Sequence, residues 1–392
     1  VKGSVITLGC RLNLAESEAI EALLDDAPDT VVVNSCAVTN EAVRQTRQAI
    51  RHARRERPDA RILVTGCAAE TERDAFAAMR EVDGLIPNRA KLDARAWNVP
   101  VPEETTPGGR QHTRAFIGVQ NGCDHACTFC IIPQGRGESR SLPIAQVLRQ
   151  IEAEMARGAQ EIVLTGVDLT SWGADLPGTP GLGVLAEEIL ARFPALPRLR
   201  LSSVDGAEVD DALFELLASE PRMMPHLHLS LQHGHDLILK RMKRRHSRAD
   251  ALSLVSRLKA RRSDIAIGAD LIAGFPTERD EHHAANLSII RELDIVHGHI
   301  FPFSPRQNTP ASRMPQVDRM SVKDRSAQMR VEVGHCRTAW LERLLGRELP
   351  VLAERDGAGY SPQYARVKVP ADTPAGTIVT IIPTRIENGI LA

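Results

Sequence analysis

The chain has 392 residues, 43% of them hydrophobic and 25% charged, with a net charge of −1. That length suits two or three globular domains, and the balanced charge excludes a uniformly basic nucleic-acid binder. Aromatic residues are only 3%, which argues against extended base stacking on aromatic platforms. No apolar run approaches the roughly 20 residues of a membrane span, and none has the flanks of a signal peptide. A cytoplasmic protein that meets no membrane is therefore expected. Seven cysteines, an odd number, point in such a chain to metal binding or catalysis before disulfides.

The first hundred residues repeat one pattern three times: an apolar β-branched run, a cysteine, then a helix-like segment. The runs are Val5-Ile6-Thr7-Leu8-Gly9-Cys10, Val31-Val32-Val33-Asn34-Ser35-Cys36 and Ile62-Leu63-Val64-Thr65-Gly66-Cys67. They read as parallel strands of a three-layer α/β domain over residues 1–97. Each cysteine falls just past a strand's carboxyl end, the edge where open parallel sheets bind ligands. A single cysteine there is commonly a small core residue, but three at matched offsets converge as candidate ligands. Arg44, Arg47, Arg51, Arg54 and Arg55 recur at helical spacing and form a basic stripe. Such a stripe either meets phosphates or is an exposed face balanced by acids. Residues 98–112, rich in Pro, Gly, Thr and Glu, read as a linker.

A second α/β series occupies 113–330. Its predicted strands are Ala115–Gln120, Glu161–Thr165, Arg198–Ser202, His226–Leu231, Ile265–Leu271 and Val296–Phe303, with helices such as Ile144–Arg157 and Ala249–Arg261 between them. Six parallel strands with crossover helices predict a partial (β/α)6 barrel with its site at the strand carboxyl ends, a doubly wound sheet being the competing architecture. Directly after the first of these strands stand Cys123, Cys127 and Cys130 in C-x3-C-x2-C spacing. Three thiolates on one tight loop suit three corners of a 4Fe–4S cluster and leave one iron open to chelate a substrate. This spacing is the signature of radical S-adenosylmethionine enzymes. A zinc knuckle completed by His125 is the alternative, although zinc sites usually present paired C-x2-C units. Cys336 has no partner motif. Lys240, Arg241, Lys243, Arg244 and Arg245 form a second basic cluster. The last part, 331–392, reads as a connecting helix around Val322–Leu345 and a small β-barrel with strand-like runs at Val351–Leu352, Ala365–Val369 and Gly376–Ile382.

With these residues in view, the chain resembles the radical S-adenosylmethionine methylthiotransferases over nearly its whole length. Thr7 to Asn13, Val33 to Thr39 and Thr65 to Ala68 match that family's amino-terminal domain, and Gly122 to Pro133 with Arg136-Gly137-Glu138-Ser139-Arg140-Ser141 matches its barrel entrance. The compact Arg-Gly-x-x-Arg-Ser form and Val38-Thr39-Asn40 resemble the branch acting on threonylcarbamoyladenosine in tRNA. The isopentenyladenosine branch and the branch acting on a ribosomal-protein aspartate usually differ there.

The resemblance implies two 4Fe–4S clusters, one on Cys10, Cys36 and Cys67 and one on Cys123, Cys127 and Cys130, with S-adenosylmethionine at the second. It also implies Gly166, Val167 and Asp168 at the methionine end of that cofactor, and a tail like the small β domain that grips RNA. Ser202, Ser203 and Gln232 stand at later strand ends, as cofactor contacts or as strand caps. Phe129 packs on the cofactor or seals its loop. Lys240 and Arg244 join the arginine stripe as RNA contacts. The implied reaction is hydrogen abstraction from adenine C2, then joining of sulfur held at the amino-terminal cluster to that carbon, a second S-adenosylmethionine supplying the methyl group before the transfer. The implied partners are the tRNA anticodon stem-loop and an unidentified electron donor, with the chain a monomer. A non-catalytic, zinc-dependent RNA-binding protein is the alternative from another class.

Overall fold

The computed structural model describes residues 3–24, 27, 29–98 and 113–392. The linker expected over 98–112 lies, apart from Asn98, outside them. Two compact units emerge, and neither is continuous in sequence. One draws on Val1–Gln111, Asn121–Arg140 and Ser304–Ser312, the other on His112–Gln120, Ser141–Phe303 and Arg313–Ala392.

In the first unit, β1 (Ser4–Thr7), β2 (Thr30–Ser35), β3 (Arg61–Gly66) and β4 (Gly84–Leu85) form a parallel sheet in that order. Successive strand residues point to opposite faces, and the burial follows this. Val32 and Leu63 pack with Ile20 of α1 (Arg11–Leu23), Leu24 and Trp97. Val31, Val33, Ile62 and Val64 pack with Val43, Ile50 and Ala53 of α2 (Asn40–Glu56). A helix thus covers each face, giving three layers, and each aliphatic side chain so buried contributes about 1.5–3 kcal/mol. Thr39 caps α2 by accepting the Ala42 N–H at 3.1 Å. Short helices α3 (Cys67–Thr71) and α4 (Arg73–Ala77) follow β3, and α5 (Ile132–Arg136) belongs to the same unit.

In the second unit, β5 (Ala115–Gly118), β6 (Glu161–Thr165) and β7 (Arg198–Leu201) pair in parallel. β8 (Ser203–Val204), β9 (His226–Gln232), β10 (Ala266–Ala273) and β11 (Ile295–Pro302) do likewise. The two runs are interrupted at Ser202 and linked where Leu199 bridges Met223. All six predicted strand positions are occupied, and the sheet is open: among the described residues β5 does not pair with β11. Intervening helices include α6 (Ile144–Ala156), α7 (Leu182–Arg192), α8 (Asp211–Ser219), α9 (Asp236–Met242), α10 (Arg248–Arg261) and α11 (Asp280–Glu292). One apolar core runs from Ala115 to Val333.

Helix α12 (Arg319–Glu342) leads to six short strands, β12 (Leu349–Ala353), β13 (Ala358–Tyr360), β14 (Arg366–Lys368), β15 (Ile378–Ile381), β16 (Ile386–Glu387) and β17 (Ile390–Leu391). Their order is β15-β12-β13-β14-β17-β16. The small barrel expected of the tail is a six-stranded sheet whose edges, among the described residues, do not pair. The three strands absent from the sequence reading, β13, β16 and β17, are only three, two and two residues long. The tail sheet docks at the amino ends of the parallel strands. Arg198, first residue of β7, donates to the Tyr360 carbonyl at 3.1 Å and the Pro350 carbonyl at 2.5 Å. Glu161, first residue of β6 and fully buried, accepts from Arg200 at 2.8 Å, and Arg200 lies over the Tyr364 ring.

Candidate functional site

The register of the first sheet decides where its three thiols fall. Thr7 lies opposite Asn34 and Ser35 opposite Gly66. Cys36 directly follows β2, Cys67 opens α3 directly after β3, and Cys10 stands at the N-cap of α1. The chain leaves β1 and β3 through glycines in the left-handed region. At Gly9 (φ +101°) a Cβ would sit 2.9 Å from the Cys36 sulfur, and at Gly66 (φ +90°) one would sit 2.4 Å from the Ser35 carbonyl. No larger residue allows this approach. Polar side chains then tie the strand ends together. Asn13 Nδ2 donates to the Leu8 carbonyl at 2.7 Å and the Ser35 carbonyl at 3.1 Å. Asn34 Nδ2 donates to the Asn13 carbonyl at 3.0 Å, and Ser35 Oγ to the Thr65 carbonyl at 2.5 Å.

The segment bearing Cys123, Cys127 and Cys130 belongs to the same compact unit. Backbone N–H groups of His125 and Ile132 donate to the sulfurs of Cys123 and Cys130, each at 3.4 Å. Its end packs on the first trio. A Cβ on Gly135 would lie 3.1 Å from Cys67 Cβ. Asn88 Nδ2 spans the pair, 3.8 Å from Cys67 Sγ and 2.6 Å from the Gly135 carbonyl. Arg136, its side chain 1% exposed, donates to both carboxylate oxygens of Glu16 and to Asn13 Oδ1. Lys91, equally buried, reaches Glu16 at 2.5 Å.

Both trios fit iron–sulfur clusters. Burial pushes the Cys36 thiol up to about 11, and repulsion from Cys10 and Cys67 adds to it. Three thiols placed to repel as thiolates are stabilised by the iron that replaces their protons. Amide N–H groups aimed at sulfur suit bridged thiolates. In a cluster each thiolate takes its own iron, whereas zinc gathers its four ligands on one ion.

The proposed cofactor contacts divide between the units. Phe129 is half-buried in the first. In the second, Gly166, Val167 and Asp168 follow β6 as a half-exposed turn. Gln120, which the sequence reading missed, holds that turn: its Oε1 accepts from the Val167 N–H at 3.0 Å and the Asp168 N–H at 2.9 Å. Ser202 is buried at the end of β7, its hydroxyl without a hydrogen-bond partner among the described residues. Such an orphaned group suits a ligand contact. Ser203 pairs within β8, opposite His228. Gln232 ends β9 in the left-handed region at φ +66°. Beside it, His233 is buried against Glu278 at 3.1 Å and His235 caps α9. The sequence reading also missed a polar file on the β9–β11 sheet. His228 Nε2 and His299 Nδ1 meet the same oxygen of Asp270 at 3.1 and 3.0 Å.

The basic residues sort by their partners. Arg44 pairs with Glu41, Arg47 with Glu72 and Arg51 with Glu81. Arg54 binds Asp83 and three carbonyls, those of Pro58, Ala60 and Glu81, which commits it to the fold. Arg244, its side chain more deeply covered than that of Arg54, lies against Asp205 and the Ser230 carbonyl. These partners give Arg54 and Arg244 a structural role besides the RNA contact expected of them. Arg55 and Lys240 are exposed. Cys336 lies half-buried on α12, 3.8 Å from the Ile290 carbonyl.

Two family models match: the radical SAM superfamily over residues 117–287 and the uncharacterized protein family UPF0004 over 2–87. The threonylcarbamoyladenosine tRNA methylthiotransferase MtaB of Rickettsia prowazekii is 40% identical, over 100% of this chain and 97% of its own length. The tRNA-2-methylthio-N(6)-dimethylallyladenosine synthase of Cereibacter sphaeroides is 32% identical, over 90% and 87%. Among solved structures, the radical S-adenosylmethionine methyltransferase TsrM of Kitasatospora setae superposes with a TM-score of 0.56 at 17% identity, covering 80% of this chain and 75% of that one. The fold, the two thiol trios and a 40% identical relative aligned from end to end agree: the chain belongs to the radical S-adenosylmethionine tRNA methylthiotransferases.

Proposed function

We propose that this chain inserts a methylthio group at C2 of N6-threonylcarbamoyladenosine next to the anticodon of tRNA. The observation that best supports it is the packing of the Cys123–Cys130 segment on Cys67 through Gly135 and Asn88. It makes one compact unit of two sets of cluster ligands. Full-length similarity to MtaB supports the substrate.

In this reading Cys123, Cys127 and Cys130 hold one 4Fe–4S cluster, and Cys10, Cys36 and Cys67 hold a second. When bound, the clusters and S-adenosylmethionine supply one-electron cleavage at one end of the site and sulfur at the other. The chain's own residues do the placing. Gln120 holds the turn of Val167 and Asp168 by accepting from their amides; with Gly166, Ser202, Ser203 and Gln232 these are the cofactor contacts of the second unit, and Phe129 is that of the first. The base leaves its stack to be reached, at a cost of a few kcal/mol that is smaller in a loop. Arg44, Arg47, Arg51, Arg55 and Lys240 draw in the anticodon stem-loop. Among the described residues no helix is long and apolar enough to cross a membrane. The chain acts in this reading as a cytoplasmic monomer that takes electrons from a separate donor. Similarity to a dimethylallyladenosine synthase keeps isopentenyladenosine as the second reading.

Nucleoside mass spectrometry on tRNA from cells lacking the gene tests this. Methylthiolated threonylcarbamoyladenosine should vanish while its unmethylthiolated precursor accumulates. An unchanged level would overturn the substrate, and loss of the isopentenyl product instead would favour the second reading.

A further inference from the structure

Three charged side chains are buried together beside the amino-terminal thiols: Glu16, Lys91 and Arg136, with side chains 4%, 1% and 1% exposed. One carboxylate faces two cations, so the set carries a surplus positive charge. Burying a surplus charge costs several kcal/mol unless another charge answers it. The thiols stand beside this set, since Arg136 follows Gly135, where a Cβ would lie 3.1 Å from Cys67 Cβ; burial works against the charge on Arg136, and Cys67 and Glu16 favour it. Burial pushes Lys91 down from its ordinary value, and Glu16 opposes that shift. The guanidinium is also fixed in direction. Glu16 takes it at 2.9 and 3.0 Å, Asn121 Oδ1 at 2.7 Å and Asn13 Oδ1 at 2.5 Å. Asn13 is itself bound to the carbonyls just ahead of Cys10 and Cys36. Arg136 follows Gly135, which lies on Cys67, and ends the segment carrying Cys123, Cys127 and Cys130.

We propose that Arg136 is the charge-balancing and positioning residue of the amino-terminal cluster, delivered to it by the segment that holds the other cluster. This rests on the reading that Cys10, Cys36 and Cys67 hold a cluster. Three thiolates give that cluster a net negative charge, and reduction makes it more negative. A fixed buried cation stabilises the reduced form most, which raises the potential. Because Arg136 arrives from the other thiol segment, the amino-terminal site is electrostatically complete only when that segment is seated. Lysine can supply the charge there without the fork that binds Glu16 and Asn13 together.

The test is an EPR-monitored redox titration of the reconstituted full chain, with iron analysis, for the unsubstituted protein, Arg136→Gln and Arg136→Lys. S-adenosylmethionine perturbs the signal of the Cys123–Cys130 cluster and so identifies the other. Arg136→Gln should shift the midpoint of the unperturbed signal to more negative potential at full iron content, and Arg136→Lys should move it back toward the original value. An unchanged midpoint in fully loaded Arg136→Gln would overturn the proposal. If Arg136→Gln loses the amino-terminal iron, loading restored by Arg136→Lys upholds the role of charge. Equal loss in both, with far-UV circular dichroism unchanged, overturns it. A single EPR signal in the unsubstituted protein would instead sink the two-cluster reading before Arg136 is varied.

Discussion

Arg136 and Glu16, 120 residues apart, are joined by two hydrogen bonds of 2.9 and 3.0 Å with both side chains almost wholly buried. Lys91 shares the same carboxylate at 2.5 Å. Burial alone would raise the Glu16 carboxyl, but Lys91 and Arg136 hold it below the usual range. Removing it strands two buried cations. Glu16→Ala should therefore cost about 3–5 kcal/mol, read as a lower urea midpoint of the metal-free protein. A change below about 1 kcal/mol would mean that water already serves these cations.

Gly66 offers a sharper test of local geometry. Its φ of +90° and the 2.4 Å approach of a Cβ to the Ser35 carbonyl both oppose a side chain. Gly66→Ala should destabilise by about 1–3 kcal/mol and lower the iron held by the amino-terminal trio, while Gly346→Ala, whose Cβ would meet open space, pays only the φ strain and leaves iron content intact. Equal iron in both variants would remove the steric argument.

Acid stability should carry the mark of His297. Its removal from water, with repulsion from Arg337 added, pushes it down to about 3 from an ordinary 6.5. The unfolded chain therefore takes up this proton first as pH falls. The contribution is complete above about 6.5 and is lost progressively toward 3, at up to about 1.4 kcal/mol per pH unit. Between pH 6.5 and 4.5, metal-free His297→Gln should lose stability less steeply than the unsubstituted protein in urea titrations. Parallel slopes would show that the ring is hydrated.

The arginine stripe should divide in two. Arg55→Ala, at an exposed residue, should weaken tRNA binding and reduce the slope of log affinity against log salt by about 0.7–0.9. Arg54→Ala should instead lower the melting temperature, since Arg54 binds Asp83 and three carbonyls. Binding across a salt series and thermal denaturation of both variants check this.

The strands and thiols were legible in the sequence because local rules write them: apolar runs, glycines before Cys10 and Cys67, and a C-x3-C-x2-C loop. What was not legible depends on distant partners. Arg54 and Arg244 look like any helical or loop cations, and only Asp83 and Asp205, distant in sequence, fix them to the fold. Gln120 gave no signal, since its task is to bind two amides of a turn some 47 residues on. The His228–Asp270–His299 contact needs the strand register that puts Asp270 beside His299. The tail strands were half visible, being two to five residues long.

The most direct measurement gives reconstituted protein, a reductant and S-adenosylmethionine to tRNA bearing threonylcarbamoyladenosine, then quantifies nucleosides by mass spectrometry. The unsubstituted chain, with about eight irons, should form the methylthiolated product. Cys36→Ser, left with about four, should still cleave S-adenosylmethionine to 5′-deoxyadenosine yet form none. Product from Cys36→Ser at the unsubstituted level would contradict the assignment of sulfur delivery to the amino-terminal thiols.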